Sequence, residues 1–207
     1  MLADHDQATV PRKHIEAERG DAILAMGKQY RVDLKRAEDV RRLAGRLFYE
    51  MRRVHALPPE YEGWLFAAAM LHEVGTFINR SGRHRHAYYL IANSEIFGFT
   101  PEQRHIIAAI ARYLGKTRPN PADGPMKALN SADQELAPKA VVLLRLAKAM
   151  SHGTDGSIVN VAAEVYRERV MLKLTAKDST DLEVWMLSKE RAYFREVFGR
   201  ELDIEVF

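Results

Sequence analysis

Cysteine is absent from the 207 residues, which excludes disulfides, thiolate metal sites, iron–sulfur clusters and a cysteine nucleophile. Long apolar runs are missing as well. No stretch approaches the ~20 residues that span a bilayer, and the opening MLADHDQATVPRKH has no apolar centre of the kind a secretory signal needs. The expectation is a cytoplasmic protein with no membrane partner. Repeats, low-complexity tracts and a convincing internal boundary are also lacking, so residues 1–207 read as a single domain, with residues 1–12 disordered. That opening and the initiating Met point to an independent protein rather than a piece of a longer enzyme. No local Ser–His–Asp pattern motivates nucleophilic catalysis.

What is present is globular in balance, 47% hydrophobic and 29% charged. The net charge of +3 hides an uneven distribution. Between Arg80 and Arg118 seven basic residues stand against Glu95 and Glu102, and between Lys28 and Arg53 nine stand against four acidic ones. From Asp178 onward eight acidic residues face four basic ones. Such segregation suits either solvated helix faces or an anionic partner.

The hydrophobic pattern is mainly helical. Asp33 is placed to cap a helix whose stripe runs Ala37, Val40, Leu43, Ala44, Leu47, Phe48, Met51 and Val54, ended by Pro58-Pro59. Trp64 to Leu71 is apolar all round, as a central helix covered on every side would be. A further helix is expected over His86 to Ile96. Thr100-Pro101-Glu102-Gln103 has the residues of a helix start, with Thr as N-cap, Pro at the first position and Gln at the third. Residues 116–133 read as one long loop, and 138–150 as a helix. The period then shortens to two: Ile158 to Val165 and Arg169 to Ala176 predict an antiparallel hairpin over 158–176. A helix and a terminal strand close the chain over 182–207. The fold class is therefore mainly α, a helical bundle with a small antiparallel β appendage near the C-terminus.

The chemistry concentrates in two places. His72-Glu73, at the end of the buried run and followed by Val74-Gly75, can offer one imidazole and one carboxylate to a metal ion. Arg80-Ser81-Gly82-Arg83-His84-Arg85-His86 can converge on an anion, joined by Arg112 and Lys116; the plainer reading is a basic surface loop. His84 and His86 also have a spacing found in metal sites, but no third ligand accompanies them. His5, His14, His55, His105 and His152 have no partner spacing and read as exposed or structural. Tyr88-Tyr89 and Trp64 read as core or interface aromatics.

The run AAAMLHEVGTFINRSGRHRHAYYLIANSEIFGFTPEQRHIIAAIARYLGK resembles the C-terminal, HD-like domain of the exopolyphosphatase and guanosine pentaphosphate phosphohydrolase (Ppx/GppA) family. Further matching segments are Tyr30-Arg31-Val32-Asp33, the Leu43 to Phe48 run, Leu143 to Ala147, Leu182 to Trp185 and Phe198-Gly199-Arg200, from about residue 20 to the end. The resemblance implies an HD-like helical bundle that contributes dimer contacts and a basic channel for phosphate chains. Family enzymes cleave phosphoanhydrides in an N-terminal, actin-like region with Gly-rich loops, which these 207 residues do not contain.

The resemblance also implies a degenerate HD metal site. Arg36 stands where the first His is expected, His72-Glu73 replaces His-Asp, Lys148 stands where the late Asp is expected, and Leu114 replaces a family His. One imidazole and one carboxylate are too few for a catalytic divalent ion. The expectation is that Arg36 and Lys148 neutralise Glu73 in the ion's place, with no cofactor. The leading function is thus a binding module for polyphosphate or a polyphosphorylated nucleotide, as a homodimer. The alternatives are a metal-dependent phosphohydrolase using His72 and Glu73 as catalytic candidates, or a regulatory subunit of a separate catalytic chain. Nucleic acid is the weaker partner, because no recognition motif is present.

Overall fold

The computed structural model describes residues 9–153 and 156–207, with side chains from residue 14 onward. Of the stretch expected to be disordered, residues 1–8 lie outside the described residues, and the rest opens a helix. This first helix, α1 (Thr9–Gln29), has no counterpart in the periodicity. Its apolar residues are too sparse for a stripe, and it is held by burying Ile23 and Met26 against the bundle.

Helix α2 (Leu34–Glu50) starts where the sequence places it, with the Asp33 carboxylate accepting from the Arg36 amide at 3.1 Å. Its expected stripe is buried. The helix stops earlier than the pattern suggests, because the chain breaks at Met51 and makes one further turn, α3 (Arg52–His55). His55 fastens that break. Its Nε2 donates to the Phe48 carbonyl at 2.8 Å, and its Nδ1 accepts from the Leu57 amide at 2.9 Å. It is a structural histidine, deep in the core.

Helix α4 (Glu60–Leu71) is the central rod, buried from Tyr61 to Leu71 on nearly every face. Ala67, Ala68 and Ala69 let α2 and the later helices approach it closely. After a 3-10 turn at Val74–Phe77 comes α5 (Arg83–Asn93), which begins three residues before its expected start. Helix α6 (Pro101–Arg112) has the capping box that its sequence spells, with Thr100 and Gln103 bonded reciprocally.

The expected loop at 116–133 is shorter than its prolines suggest. A turn of helix, α7 (Gly124–Lys127), interrupts it, and α8 (Ser131–Met150) starts before Pro138. Asn130 caps α8 by accepting from the Asp133 amide at 2.9 Å. Pro138 therefore sits inside the helix. It forfeits one backbone hydrogen bond, while the apolar run from Ala137 to Met150 holds the helix against the core.

Strands β1 (Ile158–Val165) and β2 (Arg169–Ala176) form the expected antiparallel hairpin, with Val161 opposite Leu174 and Val165 opposite Val170. The sheet is mixed rather than antiparallel. Helix α9 (Asp181–Phe198) carries the chain back over the sheet, and β3 (Glu201–Val206) joins β2 in parallel. A parallel neighbour requires a crossover of a dozen or more residues, and α9 supplies it. Among the described residues no helix is long and apolar enough to cross a membrane.

Candidate functional site

The end of α4 delivers two adjacent side chains into different surroundings. His72, the C-cap residue, is 3% exposed. Its Nδ1 lies 2.7 Å from the Ala69 carbonyl oxygen. A carbonyl can only accept, so Nδ1 carries the proton and Nε2 is bare. Nε2 lies 3.5 Å from Glu73 Oε1. Burial, and then the neighbouring Lys148 ammonium, hold the imidazole down at about 3, so it is neutral near pH 7.

Glu73 is more open and is tied at both oxygens. Oε1 accepts from Lys148 Nζ at 3.0 Å and Oε2 from Thr76 Oγ1 at 2.9 Å, while Arg83 Nε stands 3.7 Å from Oε2. Burial alone would push this carboxyl up. The charge of Lys148 and the hydrogen bonds from Lys148 and Thr76 outweigh it and hold Glu73 at about 2. Burial lowers Lys148 in turn, against the pull of Glu73.

Gly75 makes this convergence possible. A Cβ there would overlap the Arg83 carbonyl oxygen and the Ala87 amide nitrogen. Its absence lets the first turn of α5 seat against the 3-10 turn, bringing Arg83 beside Glu73. Gly75→Ala is expected to cost about 1–3 kcal/mol, or a fall of roughly 2–12 °C in melting temperature. Thermal denaturation of the variant checks this.

Around the pair lies a cleft of about 680 Å³. Five permanent cations line it, namely Arg31, Arg36, Arg80, Arg83 and Lys148, against the carboxylates of Asp33 and Glu73. Asp33 is occupied as the α2 cap. The cleft therefore holds a surplus of three positive charges in a partly enclosed space, where attraction to an anion is stronger than in bulk water.

The expected site residues divide. Lys148 pairs with Glu73 as anticipated, but Arg36 does not touch it. The Arg36 guanidinium instead reaches the end of α8, donating to the His152 carbonyl at 3.1 Å and the Ser151 carbonyl at 3.5 Å. Arg83 is the second cation on Glu73. Of the proposed phosphate cluster, Arg80 and Arg83 line the cleft, whereas His84, Arg85, His86, Arg112 and Lys116 are not in its wall. The physical reason is that residues 83–86 are helical, so successive side chains fan around α5 instead of converging from a loop.

His84 packs over Gly115, and its buried Nδ1 has no hydrogen-bond partner. Burial first, then Lys148 and Arg83, hold it down at about 4. Arg85 and His86 flank Gly82, whose φ of 72° starts the helix. Arg112 lies over the Tyr113 ring at 5.4 Å, and Lys116 is exposed.

The structure adds lining residues that the pattern did not single out: Tyr30, Arg31, Thr76, Phe77 and His152. Thr76 carries a usable signal, three residues beyond Glu73. His152 follows α8 directly but had no spacing to mark it. Leu114, where a family His is expected, is packed in the core. Among the described residues no group of three or more His, Asp or Glu could hold a metal ion. His72 offers one free nitrogen, and both Glu73 oxygens are engaged, so these donors do not fit a catalytic divalent ion.

Fold and cleft together define a class: a mainly helical domain, with a small sheet at its C-terminal end, whose buried central helix ends in a His–carboxylate pair facing a cationic cleft. Residues 19–191 match the family model described as Ppx/GppA phosphatase, domain III. The chain belongs to that family.

Proposed function

We propose that the chain is a receptor for phosphate-rich anions, polyphosphate or a polyphosphorylated nucleotide, and that it works without a metal ion of its own. The observation that carries this reading is the Lys148 ammonium 3.0 Å from Glu73 in a cleft with surplus positive charge. A fixed ammonium stands on the carboxylate and satisfies it, and Arg80 remains to meet phosphate oxygens, together with the guanidinium nitrogens of Arg83 and Arg36 that Glu73 and the α8 carbonyls do not engage. Arginine suits that task because its planar fork matches two oxygens at once. In this reading the family's HD-like metal centre has been replaced by side-chain charge. The domain acts as a homodimer, or beside a separately encoded catalytic chain, as the binding half of a phosphate-processing assembly.

Titration with labelled polyphosphate at two salt concentrations tests the proposal. Affinity is expected to fall at least about tenfold between roughly 50 and 200 mM salt, because a bound polyanion displaces counterions. Lys148→Met removes the ammonium from Glu73 and one positive charge from the cleft, and should weaken binding by a further tenfold or more, about 1.4 kcal/mol. Absence of binding at low salt removes the receptor reading.

A further inference from the structure

Glu183 is an acid buried to 2% exposure that lies outside the cleft wall. It sits in the first turn of α9, where the helix dipole favours an acid. Its Oε1 accepts two hydrogen bonds, from the Gly153 amide at 3.1 Å and from the Ser157 hydroxyl at 2.8 Å. Both donors belong to the connection that leads from α8 to β1. Gly153 allows this approach, since a Cβ there would stand 2.1 Å from the same oxygen.

The Gly153 amide shares its peptide plane with the His152 carbonyl, and that carbonyl accepts from Arg36 Nη2 at 3.1 Å. A peptide unit is planar and stiff, so a grip on its N–H side fixes the direction of its C=O side. Glu183 and Arg36 are therefore joined through one rigid group, although they stand on α9 and α2. Arg36, His152 and the neighbouring Ser151 all line the cleft. The Ser151 carbonyl lies 3.5 Å from the same Nη2, while Nη1 and Nε make neither contact. An arginine side chain that is untethered has rotamer freedom to lose when a ligand binds, and one already held loses less.

We infer that Glu183 is a positioning residue for the cleft: by gripping one side of the His152–Gly153 peptide it aims the other side at Arg36, and so sets how tightly a phosphate-rich anion is held without touching it. This inference rests on the reading of the cleft as a phosphate receptor. It gives the buried acid of α9 a role in binding as well as in folding.

The test is calorimetric titration of the full chain with inorganic tripolyphosphate, at low salt and without divalent ions. Glu183→Met removes the acceptor and is expected to weaken binding about fivefold. Glu183→Gln retains an oxygen that can accept both bonds and should stay within about twofold of the wild type. Arg36→Met should weaken binding at least about fivefold, and adding Glu183→Met to it should cost less than about twofold more, because the two residues act through one contact. Wild-type affinity in Glu183→Met or in Arg36→Met, or the same fivefold loss whether or not Arg36 is present, overturns the inference and leaves the receptor reading standing. If Glu183→Met does not fold, Ser157→Ala, which removes one of the two donors, takes its place. Its expected loss is about twofold to threefold with Arg36 present and none without it; unchanged affinity overturns the inference. A wild-type chain that does not bind tripolyphosphate removes the receptor reading and the inference with it.

Discussion

Arg145→Ala is expected to lower the unfolding free energy by about 3–5 kcal/mol, the cost of leaving a buried charge without its partner. Arg145 and Glu190 are only 12% and 14% exposed. Their bidentate contact, with Nε to Oε2 at 2.6 Å and Nη2 to Oε1 at 3.1 Å, ties α8 to α9. The remaining guanidinium nitrogen donates to the Tyr113 and Gly115 carbonyls at 3.1 and 2.8 Å, satisfying the end of α6. One side chain thus joins three elements, and truncation abandons one carboxylate and two carbonyls together. The corresponding fall in melting temperature is roughly 6–20 °C for a chain of this size. Arg145→Lys should recover only part of it, since an ammonium cannot reproduce the fork. The double replacement Arg145→Met/Glu190→Leu should recover more, because it removes the buried charges in a pair. A double variant no better than Arg145→Ala alone would show that packing, not charge, carries the contact.

How far such features can be read in advance depends on the range of the interaction. The α6 capping box and the 158–176 hairpin are spelled within a few residues, so both were legible and both form. Helix α1 was not, because tertiary contacts at Ile23 and Met26 hold it rather than any stripe of its own. The direction of β3 was hidden for a similar reason: alternation marks a strand, while the helix before it decides which way the strand runs. Arg145 sits in an apolar run, and its acid lies forty-five residues away on α9.

The site shows the same division. His72, Glu73 and Lys148 were reachable from motif and resemblance. The exchange of Arg36 for Arg83 as the second cation on Glu73 was not, because it depends on Gly75 letting α5 close in. Phe77 had no pattern to distinguish it from a core residue; only its exposure at the cleft does so.

The largest pH effect is expected on the acid side of neutrality. His72 and His84 are held at about 3 and about 4 in the folded chain, against an ordinary value near 6.5. Below pH 6.5 the unfolded chain therefore takes up protons that the folded chain refuses, and folding stability falls as pH falls. For His72 the loss is on the order of 3 kcal/mol by pH 4; half-buried His84 adds less, because solvent screens it. Glu73, held at about 2 against an ordinary 4.5, extends the decline: its contribution is complete above pH 4.5 and drains away towards pH 2. The charges facing these imidazoles are Lys148, Arg83, Arg112 and Glu73. Lys148 opposes protonation of both rings, so Lys148→Met should raise both histidines and make the descent below pH 6.5 shallower. His72→Asn keeps a donor for the Ala69 carbonyl and cannot titrate, and it should flatten the curve between pH 6.5 and 4. Urea denaturation across that range, wild type against His72→Asn, gives the comparison; superimposable profiles would mean that His72 is protonated in the folded chain as readily as in water, and that the ammonium beside it does not set its charge.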